Sequence, residues 1–262
     1  SAPQLYYWCS IHSGMGGAVN TNSTLGSSNF DGSVQTTAKV NANAGFSVVG
    51  YTGTNGNGTI GHGLGVAPKA VILKRRDSSS NWVVFHTSVG NTKRLVLNST
   101  NGSQSSSTYF NNTSPTSTTV SLGSNSSTNG STDNYIAYVF NEVAGYSKFG
   151  SYVSNGASSD NTFVFTGFRP AWVMIKASST GGNTSYSWMI LDNTREPFNS
   201  MYKRLQPNES ASETTNTGTT AYIDFLSNGF KIRGNGSLIG QSGVTYIYLC
   251  FAESPFKNAR AR

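Results

Sequence analysis

The sequence predicts an all-β fold: two tandem β-sandwich or jelly-roll-like domains, each of about 100 residues, after a short β N-terminal segment. Three observations predict it. Apolar residues come in short runs rich in Val, Ile and aromatics, broken by Gly, Asn, Ser and Pro, and no stretch carries a convincing helical period. Charged residues are only 11% of the 262, while 29 glycines and a 12% aromatic content suit buried strands joined by polar turns. The third observation is that the chain repeats itself.

Taken in order, residues 1–45 read as an N-terminal connector that opens on the aromatic strand "LYYW". From residue 46, "FSVVGY", "KAVILKRR", "NWVVFHT", "RLVLN", "TTVSL" and "NYIAYVFNEV" read as the strands of a first unit, 46–145. Several are continuous apolar runs, as expected of strands buried on both faces. A second unit, 146–262, repeats them. "APKAVILKRRDSSSNWVVFH" (67–86) matches "RPAWVMIKASSTGGNTSYSWMILD" (169–192), with Pro68 on Pro170 and Trp82 on Trp188. "KRL" at 93–95 matches "KRL" at 203–205, and "YIAYVFNE" (135–142) matches "YIYLCFAE" (246–253). Upstream, "GYTG" (50–53) loosely matches "GSYVSNG" (150–156). Residues 194–206 are the best helix candidate, held to a turn or two by Pro197 and Pro207.

The duplication assigns roles. Cys250 stands where the first unit has Val139, so it reads as a small buried hydrophobe. Glu142 and Glu253 share the end of the last strand, where a carboxylate accepts from turn amides. Trp82 and Trp188 recur and read as core. Trp172 replaces Ala70, so the shared fold does not require it; with Tyr152 it is the candidate for stacking on sugar rings. The Ser/Thr/Asn/Gly-rich insertions 98–118, 123–133, 178–186 and 208–220 differ most between units and read as recognition loops.

Other motifs narrow the chemistry. "GNGTIG" (56–61) fits G-x-G-x-x-G, but "HGLGVAP" after it cannot open the helix that holds a pyrophosphate, so it reads as a glycine-rich hairpin loop. His62 and His86 lack metal-ligand spacing and read as surface or hydrogen-bonded histidines. Eleven acids are scattered without the facing pair a glycosidase needs, and no Ser or Cys sits in a nucleophile elbow, so no enzyme is expected. The net charge of +7 reads as basic turns (Lys74, Arg75, Arg76) and a basic docking tail, not a nucleic-acid surface. No run of about 18 apolar residues marks a membrane span. The chain starts without Met, almost on an aromatic strand, and a segment is expected to precede Ser1.

"GHGLGVAPKAVILKRRDSSSNWVVFH", "EVAGYSKFGSYVSNG", "FVFTGFRPAWVMIK", "YIDFLSNGFKIR" and "FAESPFKNARAR" resemble a repeat family in virion proteins of tailed, especially marine, bacteriophages. The resemblance spans residues 46–262. It implies a structural or host-attachment component on the particle surface, a tail fibre or a surface decoration. Its partners would be other virion proteins, further copies of itself in a homo-oligomer, and a host surface glycan. A carbohydrate-binding module for host polysaccharide is the alternative. Separately, "YYWCSIHSGMGGAV" resembles the last strand-loop-strand of a cupredoxin. That resemblance implies Cys9, His12 and Met15 as copper ligands, three of the four in a blue-copper set. The second histidine comes from an upstream strand in that family and has no counterpart here, so the segment reads as a connector and copper as the only cofactor in view.

Overall fold

The computed structural model describes residues 5–8, 16–19, 26–179, 186–215 and 221–254. Strands β1 (Leu5–Trp8) and β2 (Gly16–Val19) form a separate hairpin. The first unit then runs β3 (Ser27–Asn29), β4 (Thr36–Asn41), β5 (Phe46–Thr52), β6 (Gly58–Gly61), β7 (Ala70–Arg75), β8 (Val83–His86), β9 (Lys93–Val96) and β10 (Gln104–Ser105). It continues through helix α1 (Ser107–Phe110), β11 (Thr119–Leu122), helix α2 (Ser126–Asn129) and β12 (Asn134–Phe140). The second unit comprises β13 (Ser147–Val153), β14 (Phe163–Phe165), β15 (Pro170–Ala177), β16 (Met189–Asp192), β17 (Lys203–Arg204), β18 (Thr214–Thr215), β19 (Ile223–Leu226), β20 (Gly229–Ile232) and β21 (Thr245–Ala252). The fold is all-β, with every strand named from the sequence present.

The first large sheet is ordered β10-β9-β8-β7-β12-β5-β4-β3, and the second β16-β15-β21-β13. The shared strands keep their order: β8-β7-β12-β5 in one half is β16-β15-β21-β13 in the other. Each large sheet covers a smaller one, β6-β11 in the first half and β14-β20-β19 in the second. Alternation along the strands sends Val71, Leu73, Phe85 and Tyr135 into the first sandwich core. It sends Val173, Ile175, Tyr248 and Cys250 into the second. The opposite faces meet each other: Ala70, Ile72 and Val84 pack with Met174, Trp188, Ile247 and Leu249 in a third cluster. The two large sheets are therefore back to back, and a strand such as β7 has no solvent face, which is why "AVIL" does not alternate.

Local chemistry repeats as well. Tyr51 stacks on Tyr135 with centroids 5.1 Å apart, and Tyr152 stacks on Tyr246 at 5.2 Å. The amide of Trp82 donates to Asn98 Oδ1, and that of Trp188 to Asn208 Oδ1, each at 2.8 Å. Lys74 Nζ donates to the Ser80 carbonyl two residues before Trp82; Lys176 Nζ donates to Tyr186, two residues before Trp188. Glu142 Oε1 accepts from the Phe149 amide at 2.9 Å, as its place after a last strand suggested.

Several expectations need correction. Part of the connector 1–45 is sheet, since β4 pairs with β5 over its whole length and β3 pairs with β4. Residues 194–206 hold no helix; turns lead into β17. Four of the six residues of the hairpin loop expected at 56–61 are strand β6, paired with β11. Its glycine is steric: a Cβ on Gly61 would meet Asn29 Oδ1 at 1.8 Å, because the incoming chain crosses there. Two insertions that the sequence suggests as recognition loops build the fold. Residues 98–118 carry Tyr109 and Phe110 into the first core. Within 123–133, buried Asn129 accepts from the Thr54 amide at 2.9 Å.

Candidate functional site

The two aromatics proposed for sugar stacking are not brought together. Tyr152 is buried between Tyr246 and Phe230, and its hydroxyl donates to the Ile239 carbonyl at 2.8 Å. It is the counterpart of core Tyr51, whose hydroxyl donates to Thr128 O at 2.6 Å, and no ring face is left for a sugar. Trp172 is half-buried on the other face of that sheet, against Phe251 at 5.6 Å, where it belongs to the joint between halves. Trp188 is fully buried there, its indole N–H donating to Val96 O at 2.9 Å. Cys9, His12 and Met15 lie outside the described residues. Among the described residues no group of three or more His, Cys, Asp or Glu side chains could hold a metal ion.

His62 and His86 are buried and locked in one form. His62 Nδ1 accepts from the Leu64 amide at 3.2 Å, and His86 Nδ1 from the Ser88 amide at 3.2 Å. That leaves each Nε2–H to donate, to Thr116 O at 3.2 Å and to Tyr248 O at 3.3 Å. Burial lowers both pKa values, that of His86 to about 4. These neutral rings staple backbone. Burial likewise raises the Cys250 thiol, which packs in the second core as the repeat implied.

The feature left after the core is accounted for is a groove on the first large sheet, about 990 Å³ in volume. The second half covers only part of that sheet's outward face. Tyr138 and Phe140 of β12 are covered, whereas Ile136 and Asn134 on the same face look into the groove. Two rows cross the floor. One runs Thr37, Gly50, Ile136 across β4, β5 and β12; the next runs Lys39 and Val48 and stops at Tyr138, which the second half covers. Gly50 makes the hollow. A Cβ there would meet nothing closer than Thr37 O at 3.9 Å, so no backbone or packing demand calls for glycine. Thr52, Thr54, Gln35 and Ser33 supply hydroxyl and amide groups at the rim. Lys39 and Arg76 supply charge, and no carboxylate lines the groove. Sequence reasoning missed this site because its residues are ordinary strand residues from four separate segments. The one available signal was Gly50 in the middle of "FSVVGYT".

Residues 19–255 match the family described as "Domain of unknown function (DUF7483)". The chain belongs to that family. No curated protein and no solved structure matches it. The matched residues include β3 to β21, so the family domain comprises both halves, their joint and the groove. Among the described residues, no helix is long and apolar enough to cross a membrane.

Proposed function

We propose that this member of the family is a non-catalytic structural component of a tailed-bacteriophage particle, a tail fibre or surface decoration, and that it holds a host-surface polysaccharide in the groove over β4, β5 and β12. The observation that carries the attachment role is the groove itself, hollowed at Gly50 on a rigid sheet. Hydroxyl and amide side chains there can exchange hydrogen bonds with sugar hydroxyls, and a preformed concavity keeps the ordering cost of binding low. Lys39 and Arg76 line the groove and no carboxylate does, Asp77 beside Arg76 being paired with Arg75 and Asn134, which favours an anionic sugar such as a uronic acid. The particle location rests on the resemblance of residues 46–262 to phage virion repeats.

The test is titration with acidic and neutral host-surface polysaccharides, followed by calorimetry or fluorescence. Acidic chains are expected to bind, more weakly as salt rises. Gly50→Val is expected to fill the hollow and abolish binding while leaving the fold at least as stable, because glycine inside a strand weakens it. Lys39→Ala with Arg76→Ala should remove the preference for acidic chains. Full binding by Gly50→Val would move attachment elsewhere. Antibody labelling that finds no copies on particles would sink the particle reading independently.

A further inference from the structure

We infer that β14 is a self-association edge, at which two copies of this chain pair antiparallel about Val164. The inference starts from what the first half does at the equivalent place. There β6 occupies the position of β14, with Ile60 matching Val164 as the buried residue. The outer edge of β6 is occupied by the incoming chain: the Val34 amide donates to Thr59 O at 3.0 Å, and the Thr59 amide donates to Ser33 Oγ at 2.9 Å. The second half has no such segment among the described residues, because β13 follows β12 after a short turn.

The other edges of the second half are closed. At β16, Ile190 and Leu205 exchange amide–carbonyl bonds of 2.8 and 3.1 Å. At β19, Met201 pairs with Ile223, and the Asn199 side chain bonds both the amide and the carbonyl of Phe225 at 2.8 Å. Edge strand β13 is blunted by its own neighbours. Glu142 accepts the Phe149 amide, Val143 O accepts the Ser147 amide, and Thr162 Oγ1 donates to Val153 O. Of the edge strands in the second half's two larger sheets, β14 is the one whose outer side no described backbone hydrogen bond reaches.

Its geometry suits a second copy. Thr162 O accepts from Ile232 N and Thr166 N donates to Asn228 O, both at 3.0 Å, on the β20 side. Alternation then turns the amides and carbonyls of Phe163 and Phe165 outward. The sequence across this strand, "TFVFT" at 162–166, reads the same in both directions. A two-fold axis at Val164 therefore places Phe163 opposite Phe165 of the partner in two hydrogen-bonded pairs, with all four rings on one face. Those rings are the cost of leaving the edge bare: Phe163 is 41% exposed and Phe165 63%. The uncovered ring surface amounts to roughly 200 Å² per copy. A dimer joined here buries well below the roughly 1,200 Å² of a durable complex, so association is weak and concentration-dependent, effective where copies are held side by side.

Sedimentation velocity of the full chain over a concentration series tests this. The mean mass is expected to rise toward dimer, and Phe165→Lys to weaken association at least about tenfold with unchanged circular dichroism. Register is tested in a Cys9→Ser background. Mixed Phe163→Cys and Phe165→Cys chains should cross-link under mild oxidation several times faster than either alone, since only the mixture places thiols opposite. A monomer at all concentrations, a dimer indifferent to Phe165→Lys, or equal cross-linking in the single-variant solutions would each overturn the inference.

Discussion

Lys74 and Lys176 occupy the same place in the two halves and live in different surroundings. Lys74 is half-buried, donates to Ser80 O at 2.7 Å and lies 6.0 Å from the Trp82 ring centroid. Lys176 is fully buried, donates to Tyr186 O and, across the joint, to Thr100 O at 2.6 Å, and burial lowers its pKa to about 7. The two tryptophans follow the same division. Trp82 is partly exposed and stacks on Tyr138 at 6.4 Å, whereas Trp188 is fully enclosed and reaches the first half through Val96. The lysine–tryptophan–asparagine latch belongs to each sandwich by itself. Its second copy has also been recruited to hold the halves together. The most demanding test of that difference is truncation of each tryptophan. Trp188→Ala removes the largest fully buried side chain and an indole donor, and is expected to cost about 3–5 kcal/mol. Trp82→Ala is expected to cost less, about 1–3 kcal/mol, since part of its surface is already in water and, among the described residues, its indole has no hydrogen bond to the other half as that of Trp188 does. Denaturant unfolding measures both; equal losses would mean that the latch, not the joint, sets the cost.

The joint also holds the neutral imidazole of His86, where the second half has Asp192 paired with Arg195 at 2.6 Å. A base whose folded pKa of about 4 lies below its unfolded value near 6.5 penalises folding when the unfolded chain takes up the proton first. Stability from this group is complete above pH 6.5 and falls by about 1.4 kcal/mol per unit, to a total near 3 kcal/mol by pH 4. His86→Gln is expected to flatten that acid limb of the stability profile. An unchanged limb would assign the acid sensitivity to other groups. Lys176 acts at the other end. Its folded pKa of about 7 lies below the ordinary 10.5, so the protonated form is disfavoured in the fold and stability should rise from pH 7 to 9 by about 2 kcal/mol. Lys176→Met should abolish that rise, whereas Lys74→Met, at the more exposed site, should leave it in place.

Much of this was legible in the chain because duplication exposes it. Continuous runs such as "AVIL" announced strands without a solvent face, and Val139 at the Cys250 position announced packing. The joint was less legible. Nothing in the spelling of Ile72, Met174 or Leu249 distinguishes a face that meets its own sandwich from one that meets the other half, since both demand apolar residues. The groove was hidden for the opposite reason. Thr37, Lys39 and Asn134 look like any solvent face until the register sets them around Gly50. Ser/Thr/Asn-rich spelling also misled at 98–118 and 123–133, where polar side chains such as Asn129 satisfy buried backbone and do not reach outward.

Tyr152 is a residue whose role the repeat decides. The alignment of "GYTG" with "GSYVSNG" sets it on Tyr51, and a residue that recurs in both copies belongs to their common core, as with Cys250. Paired substitutions measure this directly. Tyr51→Phe and Tyr152→Phe each leave a stacked ring in place and take the donor from one buried carbonyl, Thr128 O or Ile239 O. Each is expected to cost about 1–2 kcal/mol, and the two losses to agree within about 0.5 kcal/mol. Neither should alter polysaccharide binding, because Tyr152 lies in the half away from the groove and the Tyr51 hydroxyl points into the sandwich. A Tyr152→Phe chain of full stability and lost binding would reverse the assignment. It would mean that the second half keeps the first half's ring for a different purpose. Matched losses would establish that where the copies agree the residue serves the fold, and direct attention to where they disagree: Gly50 against Ser151, and Thr59 against Phe163.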